Sequence, residues 1–516
     1  MAEMTGAESL VKTMLAQGVD LCFANPGTSE MHFVAALDSH PDMRCVLCLF
    51  EGGASGAADG YFRMSGRVGA TMFHLAPGFS NAYANLHNAR KAGSGILTVM
   101  GDHATRHLAH ESPLKGDTAG ISGSVCHWTR TAESAATVAQ DGAAAISAAR
   151  GRNGQLATLI LPADTAWGPG LPAKTVPVSP QNRPREEEIA AAVAALKGPR
   201  AALLIGGSAA HGDGLRRAAG IAEAAGARLI APLFVSRLER GAGTPPVEQL
   251  PYSGDMAADI LRDLDTLVCL GAQPPVNFFA YPGKPSLPTA PGCRVMTLCD
   301  PQMDVEFTLA ALVEALGARE PAEMRALSLP DAPNDGPLTG ETACAVIARW
   351  IPEDAIVVNE AITSGRTFAA QSQDARRHDL LQGAMGGAIG GGLPVALGAA
   401  IACPDRPVLA MIGDGSAMYT LQVLWTMARE RLDVTTVIFA NRTYNILHQE
   451  LAAMGAGTPR RNARRMFDLA DPALDWVALA RGHGVEATRV ETVRALEAAL
   501  AAAGDASGPT LIEVVL

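Results

Sequence analysis

Short apolar runs recur along this chain, each followed by a turn and then by a stretch with helical spacing. The runs at 21–24, 45–50, 68–73, 96–100 and 157–161 read as strands. An amphipathic helix fits 6–17, another begins near Glu30, and a small-residue helix follows Glu51 to about Ser65. Pro172, Pro177, Pro180 and Pro184, with the charged run 186–188, mark a linker over 171–190. The pattern resumes with strands at 201–205, 228–231, 266–270 and 294–298 and a helix over 214–226. A second linker, 330–337, precedes strands at 355–358, 408–412 and 434–439 and a helix over 418–431. Near-continuous apolar strands alternating with helices predict parallel sheets covered on both faces. The expectation is three doubly wound α/β units, at 1–170, 191–330 and 338–516.

Composition narrows the class. The 516 residues suit about three domains, and 48% hydrophobic content supplies large cores. The 53 glycines and only 5% aromatics suit closely packed layers. A net charge of −11 argues against nucleic acid or an anionic membrane as partner. There is no basic start leading into an apolar segment and no continuous apolar run of membrane length, so a cytoplasmic protein is expected. Nine cysteines form no repeating framework. Cys45 and Cys48 have a redox or zinc spacing, but they sit in an apolar run and are expected to be buried structural thiols. Gly206-Gly207 lacks a dinucleotide pattern and reads as a structural turn.

The most informative stretch runs from Gly413 to Tyr444. A strand ends in Gly413-Asp414-Gly415-Ser416, a helix follows, and Asn441 and Thr443 stand just past the next strand. Parallel strands bring both loops to one edge of the sheet. Asp414, the Asn441 amide oxygen and the Thr443 carbonyl are hard oxygen donors, suited to Mg²⁺ or Ca²⁺ beside phosphate oxygens. Gly-Asp-Gly also occurs as an ordinary solvent turn. Glu51 likewise has two readings, as a first-turn acid favoured by the helix dipole or as a functional carboxylate.

The 25 residues between Gly415 and Asn441 resemble the diphosphate-binding motif of thiamine-diphosphate (ThDP) enzymes. That family usually ends the motif in Asn-Asn, and here it is Ala440-Asn441. The resemblance implies Mg²⁺ held by Asp414, Asn441 and Thr443, with Gly413, Gly415, Ser416, Asn441 and Tyr444 about the diphosphate. It implies that Glu51, in the context LFEGGASGAADGYFRMSG, bonds the aminopyrimidine N1′. Within the glycine-rich stretch 383–392, ungapped counting from Asp414 puts a carbonyl for the 4′-amino group on Gly387 and an apolar wedge between the rings on Ile389. The three units then become pyrimidine-binding, central Rossmann-like and diphosphate-binding domains. One cofactor would lie between two subunits, making a homodimer the minimum and a homotetramer the expected assembly.

The resemblance is closest to benzoylformate decarboxylase and the acetolactate synthase catalytic subunits. It implies a lyase or carboligase that decarboxylates a 2-oxo acid to an enamine. The enamine is protonated to an aldehyde or ligated to a second carbonyl, such as an acceptor aldehyde or ketone. His74 is the acid/base candidate, since an imidazole can give and take a proton near neutral pH; a loop histidine bonded to backbone is the plainer reading. Thr28 falls where that family carries an active-site Ser. Two departures stand out. Phe278 replaces a second catalytic His, and Ile446, His448 and Glu450 follow the metal loop. Phe278, Ile446, Glu450 and Lys115 are candidates for the substrate pocket, although His448 and Glu450 could simply cap a surface helix. His103, His107 and His110 have helical spacing, but they read as a loop lining the cleft before a zinc site. The alternatives are an acetolactate synthase catalytic subunit needing FAD, and a non-catalytic binding or assembly relative.

Overall fold

The computed structural model describes residues 4–172 and 175–516. Met1–Glu3 of the first expected unit, and Ala173 and Lys174 of the expected 171–190 linker, lie outside the described residues. Three sheets carry the fold. The first is wholly parallel: β1 (Leu21–Ala24), β2 (Arg44–Leu47), β3 (Gly69–Phe73), β4 (Ile96–Asp102), β5 (Trp128–Thr131) and β6 (Leu156–Pro162), ordered β2-β1-β3-β4-β6-β5. The second holds β7 (Ala201–Ile205), β8 (Arg228–Ala231), β10 (Glu248–Gln249), β11 (Thr266–Leu270) and β12 (Arg294–Cys299), ordered β10-β8-β7-β11-β12. The third holds β13 (Ala355–Glu360), β14 (His378–Gln382), β15 (Val408–Gly413), β16 (Val434–Ala440), β17 (Glu486–Val490) and β18 (Thr510–Val515). Central strands of each sheet are buried along their whole length, as parallel strands covered on both faces must be.

Each sheet has a central switch point where the chain runs outward on one side and then resumes on the other. From β1 the chain steps outward to β2, then returns to β3 on the other side and continues to β4. The loops after β1 and β3 therefore part, leaving a crevice at the carboxyl ends of the strands. The same reversal falls between β7 and β11, and between β13 and β15.

The first and third units are locked by small residues. The Glu51–Ser65 helix lies on the Gly392–Ala402 helix so closely that a Cβ on Gly398 would stand 1.9 Å from the Ala57 carbonyl oxygen, and one on Gly60 2.1 Å from that of Val395. This explains why two helices so poor in large side chains fit the core: their backbones nearly touch. Arg63 is buried at the same seam, ion-paired with Asp59 and donating to the Gln382 carbonyl at 2.6 Å.

The structure corrects several local expectations. β9 (Leu238–Arg240), from the middle of the chain, adds antiparallel to β14 and covers what would otherwise be the edge of the third sheet. Arg237 beside it forks onto Asp379, which Arg406 also pairs with. Three residues carry no periodicity, so this strand was invisible in the sequence. The charged run 186–188 is no linker but the first turn of the Glu186–Leu196 helix, where three acids meet the positive end of the dipole and Glu188 reaches back to the Arg185 N–H at 2.8 Å. Cys45 is exposed because β2 is an edge strand, whereas Cys48 is buried as expected.

Candidate active site

Near the β13/β15 reversal the segments after β13 and β16 line an open cavity of about 410 Å³, with Thr363, Ser364, Asn441, Thr443 and Asn445 on its wall. Asp414 is 4% exposed beside it. Its Oδ1 accepts the Gly415 N–H at 2.8 Å and its Oδ2 the Arg442 N–H at 2.7 Å. Burial outweighs these amides and pushes the Asp414 carboxyl up to about 6. Asn441 Oδ1 accepts the Thr443 N–H at 3.1 Å, and its amide donates to Ser364 Oγ at 3.3 Å. Gly415 is required by close approach, since a Cβ there would stand 2.4 Å from the Tyr444 ring. Ser416 is buried in the same turn. The turn Asp414–Ala417 is itself helical, and the longer helix begins only at Val423, five residues later than expected. The reason is local: Tyr419 packs on Gly390, and Thr420 Oγ1 donates to the Gly390 carbonyl at 2.9 Å.

That contact belongs to the glycine-rich loop, which is held from two sides. From the first unit, Asn88 accepts the Gly386 N–H at 2.9 Å and donates to the Ala388 carbonyl at 2.8 Å. Asn85 donates to the carbonyls of Gly52 at 2.9 Å and Gly390 at 3.4 Å. From the third unit, Glu360 accepts the N–H groups of Gly390, at 2.6 Å, and Gly392. Gly387 has φ +82°, and a Cβ there would stand 2.8 Å from the Phe278 ring. Ile389 sits half-buried between these anchored residues.

A second group gathers at the β1/β3 reversal. His74 Nδ1 lies 3.0 Å from Glu30 Oε2 and 3.0 Å from Ser29 Oγ, which donates to Glu30 Oε1 at 2.7 Å. His74 caps the Leu75–Ala92 helix, so the expected loop 74–78 is mostly helix. Thr28 stands exposed in the same short Thr28–Glu30 turn. Glu51, 7% exposed, opens its helix and accepts the Asn81 amide at 3.0 Å. β2 ends at Leu47, so Glu51 follows a short bend rather than a strand. Lys115 pairs with the exposed Glu111 at 3.3 Å, next to Gly116, which abuts Ala76. His103, His107 and His110 form a tilted stack on the neighbouring surface, with ring centroids 5.3 and 5.7 Å apart.

The structure thus assembles two groups. Asp414, Asn441, Thr443 and Tyr444 belong to one, and Thr28, His74 and Glu51 to the other, while Gly387 meets Phe278 of the middle unit. Among the described residues no hydrogen bond joins Glu51 or His74 to Asp414; Asn85 and Asn88 tie the first unit to the glycine loop. Glu450 caps no helix. Its two oxygens accept the phenols of Tyr252 and Tyr281, each at 2.9 Å, across to the middle unit. Ile446 is half-buried on the same Asn445–Ala453 helix, and His448 Nε2 lies 3.3 Å from Thr443 Oγ1. Sequence reasoning missed Thr363, Ser364, Glu30 and Glu360. The first two follow β13, and only the strand order shows that β13 neighbours β15. At the β7/β11 reversal a larger cavity of about 1340 Å³ opens, reaching Phe278 and Tyr252. Gly206 there is required by close approach, its Cβ position lying 2.4 Å from the Gly271 carbonyl oxygen.

Comparison with known proteins bears on these groups directly. The N-terminal TPP binding domain of thiamine pyrophosphate enzymes matches residues 4–121, and the C-terminal TPP binding domain matches 363–514. IlvX of Mycobacterium tuberculosis, which carries an acetolactate synthase large-subunit name, is 48% identical over 99% of both chains. The chain belongs to the thiamine pyrophosphate enzyme family. Benzoylformate decarboxylase of Pseudomonas aeruginosa is 30% identical over 96% of each chain. The structure of the ThDP-dependent 4-hydroxybenzoylformate decarboxylase of Rhodococcus jostii matches with TM-score 0.87 at 26% identity, covering 99% of both. The cavity lining offers amide and carbonyl oxygens and the hydroxyls of Thr363 and Ser364, and the buried Asp414 carboxylate is bonded to the Arg442 N–H next to it; such hard oxygen donors fit a metal-bound diphosphate.

Proposed function

We propose that this chain is a ThDP- and Mg²⁺-dependent enzyme that decarboxylates a 2-oxo acid, giving an aldehyde or joining the two-electron-rich carbon to a second carbonyl. The observation that carries the reading is Asn441 and Thr443 lining one cavity, with buried Asp414 bonded to the Arg442 N–H between them, and a glycine loop anchored on both sides. Bound coenzyme supplies the electron sink for loss of CO₂. The chain's own residues do the rest. Asp414, Asn441 Oδ1 and the Thr443 carbonyl hold Mg²⁺, while Gly413, Gly415, Ser416 and Tyr444 flank the diphosphate, joined by Thr363 and Ser364. Glu51 would hold the aminopyrimidine, the Gly387 carbonyl would accept from its amino group, and Ile389 would pack beside the coenzyme. His74 takes up and returns a proton at its Nε2 lone pair, and Thr28 anchors the substrate carboxylate. Phe278, Ile446, Glu450 and Lys115 border the pocket.

Because Glu51 and Asp414 belong to separate groups in one chain, the reading places each coenzyme between two subunits of a homodimer, which pairs further into a tetramer. The functional units are 1–170, 191–330 and 338–516. Among the described residues no helix is long and apolar enough to cross a membrane; a cytoplasmic setting is part of this reading. A second reading, acetolactate synthase, is favoured by the likeness to IlvX. Calorimetric titration with ThDP, with and without Mg²⁺, followed by a panel of 2-oxo acids assayed for CO₂ with and without an acceptor aldehyde, separates the cases. Mg²⁺-dependent binding with CO₂ release is expected. Acetolactate from pyruvate selects the second reading, and no coenzyme binding leaves a binding or assembly role.

A further inference from the structure

Glu360 ends β13 in the middle of the third sheet, with its side chain 2% exposed. Its carboxylate faces backbone only. Oε1 accepts the Gly390 N–H at 2.6 Å, Oε2 accepts the Gly392 N–H, and no lysine, arginine or histidine among the described residues pairs with it. The surroundings are Gly383, against Glu360 Cβ, and the Ile412 side chain, against Gly392. A buried carboxylate without a counter-charge is costly, and an apolar residue would fill this place more cheaply. What the carboxylate gives in return is geometric. Asn88, Asn85 and Thr420 hold the Gly386 N–H and the Ala388 and Gly390 carbonyls, but the N–H groups of Gly390 and Gly392 have Glu360 as their acceptor. A glycine-rich loop loses much backbone entropy on ordering, so a doubly accepting anchor decides whether it keeps one shape.

We propose that Glu360 is a positioning residue for the coenzyme: by fixing the turn at 390–392 it sets where Gly387 and Ile389 stand. This rests on the reading of that loop as the one beneath the coenzyme. Gln at 360 keeps the volume but turns one acceptor into an N–H₂ that opposes a backbone N–H; Asp keeps both acceptors but draws them back by one methylene.

The test uses the full chain. In Glu360→Gln, the ThDP dissociation constant measured with Mg²⁺ should rise about tenfold or more, the equivalent of one lost charge-assisted hydrogen bond. KM for the 2-oxo acid should hold while kcat falls, and hydrogen exchange should speed up in the peptide 383–392 and nowhere else. Glu360→Asp should recover part of both effects. Wild-type coenzyme affinity in Glu360→Gln overturns the inference, as does a rise in exchange spread evenly over the third unit, which marks a purely structural role. If Glu360→Gln does not fold, wild-type exchange and affinity in Glu360→Asp overturn it. Absence of ThDP binding by the wild type removes the underlying reading itself, and this inference with it.

Discussion

Glu30 holds His74 by its Nδ1, with Oε2 at 3.0 Å, and is itself 4% exposed. A carboxylate can only accept, so Nδ1 donates and the Nε2 lone pair points away from the pair, free for proton transfer. Gly101 makes room for this acid, since a Cβ there would collide with Glu30 Oε1. His74→Ala is expected to lower kcat by about 10²–10⁴-fold. Glu30→Gln should cost less, because Nδ1 keeps an acceptor oxygen while the ring loses its charged partner. Steady-state rates on the best 2-oxo acid decide it. Equal rates for wild type and His74→Ala would take the imidazole out of the chemistry.

Asp414 is joined to the loop after β16 before any ligand arrives, through the 2.7 Å bond from the Arg442 N–H. Arg442 has φ +55°, a left-handed conformation that this bond helps to hold. Asp414→Asn leaves an acceptor for only one of the two backbone donors and removes the charge from the crevice. Mg²⁺-dependent ThDP binding should weaken by at least about a hundredfold. EDTA treatment of the wild type should release coenzyme, with recovery on adding Mg²⁺. Calorimetry reads both, and unaltered affinity in Asp414→Asn would place the metal elsewhere.

The seam between the first and third units depends on absent side chains. Gly398→Ala would put a methyl group 1.9 Å from the Ala57 carbonyl oxygen, and neither backbone has slack within a helix. Destabilisation of at least about 2 kcal/mol is expected. Gly66→Ala, where a Cβ meets nothing within 4 Å but φ is +68°, separates crowding from backbone strain. Thermal unfolding of the three proteins provides the comparison; a Gly398→Ala melting point at the wild-type value would contradict the contact.

Burial lowers His378 from its usual range to about 4. Its Nδ1 lies 2.8 Å from the Arg376 carbonyl oxygen, and its Nε2 is buried without a partner. The folded chain therefore binds fewer protons here than the unfolded chain between about pH 4 and 6.5. Stability from this group is complete above pH 6.5 and is lost as pH falls through 4, by about 3 kcal/mol at most. Glu360 works in the opposite sense: burial, against its backbone amides, pushes it up to about 7, so its contribution is complete below pH 4.5 and fades as pH rises through 7. The difference between wild type and His378→Phe, followed by denaturant unfolding from pH 4 to 8, isolates the histidine. The gap should shift in the variant's favour as pH falls; a constant gap would mean that His378 does not titrate in this range.

How much of this was legible in the chain itself varies with the length of the signal. The long apolar strands and the Gly413–Tyr444 unit could be read because their periodicity or spacing extends over many residues. The three-residue strand Leu238–Arg240 could not, since its place is set by the open edge of β14 rather than by its own composition. The helix expected from Met418 is interrupted because Tyr419 and Thr420 turn toward Gly390, a contact between segments some thirty residues apart. Glu360 lies just past the expected strand 355–358 and at the end of the observed one. Its role emerges only once the glycine loop folds back over β13 and presents two N–H groups to it.

Phe278 raises the question of what this pocket does after CO₂ is lost. It packs against Phe279, with ring centroids 4.7 Å apart, and against Tyr252 at 5.6 Å, and its ring edge meets Gly387. None of these groups can deliver a proton as readily as an imidazole. His74, fixed by Glu30, is a candidate donor from the other group of site residues, and His87, whose Nε2 lies 3.2 Å from the Gly386 carbonyl oxygen, stands beside the residue before Gly387. On the proposed 2-oxo acid chemistry, one donor fewer should slow proton delivery after CO₂ loss, so that attack on an acceptor aldehyde competes better. Phe278→His is smaller than the native side chain, so the Gly387 contact tolerates it, and it restores a titratable group in the pocket. The ratio of free aldehyde to ligated 2-hydroxyketone, measured with benzoylformate and an acceptor aldehyde, should rise several-fold in the variant. A wild type that already releases aldehyde without detectable ligation would show that the aromatic wall leaves protonation fast, and the variant would then change nothing.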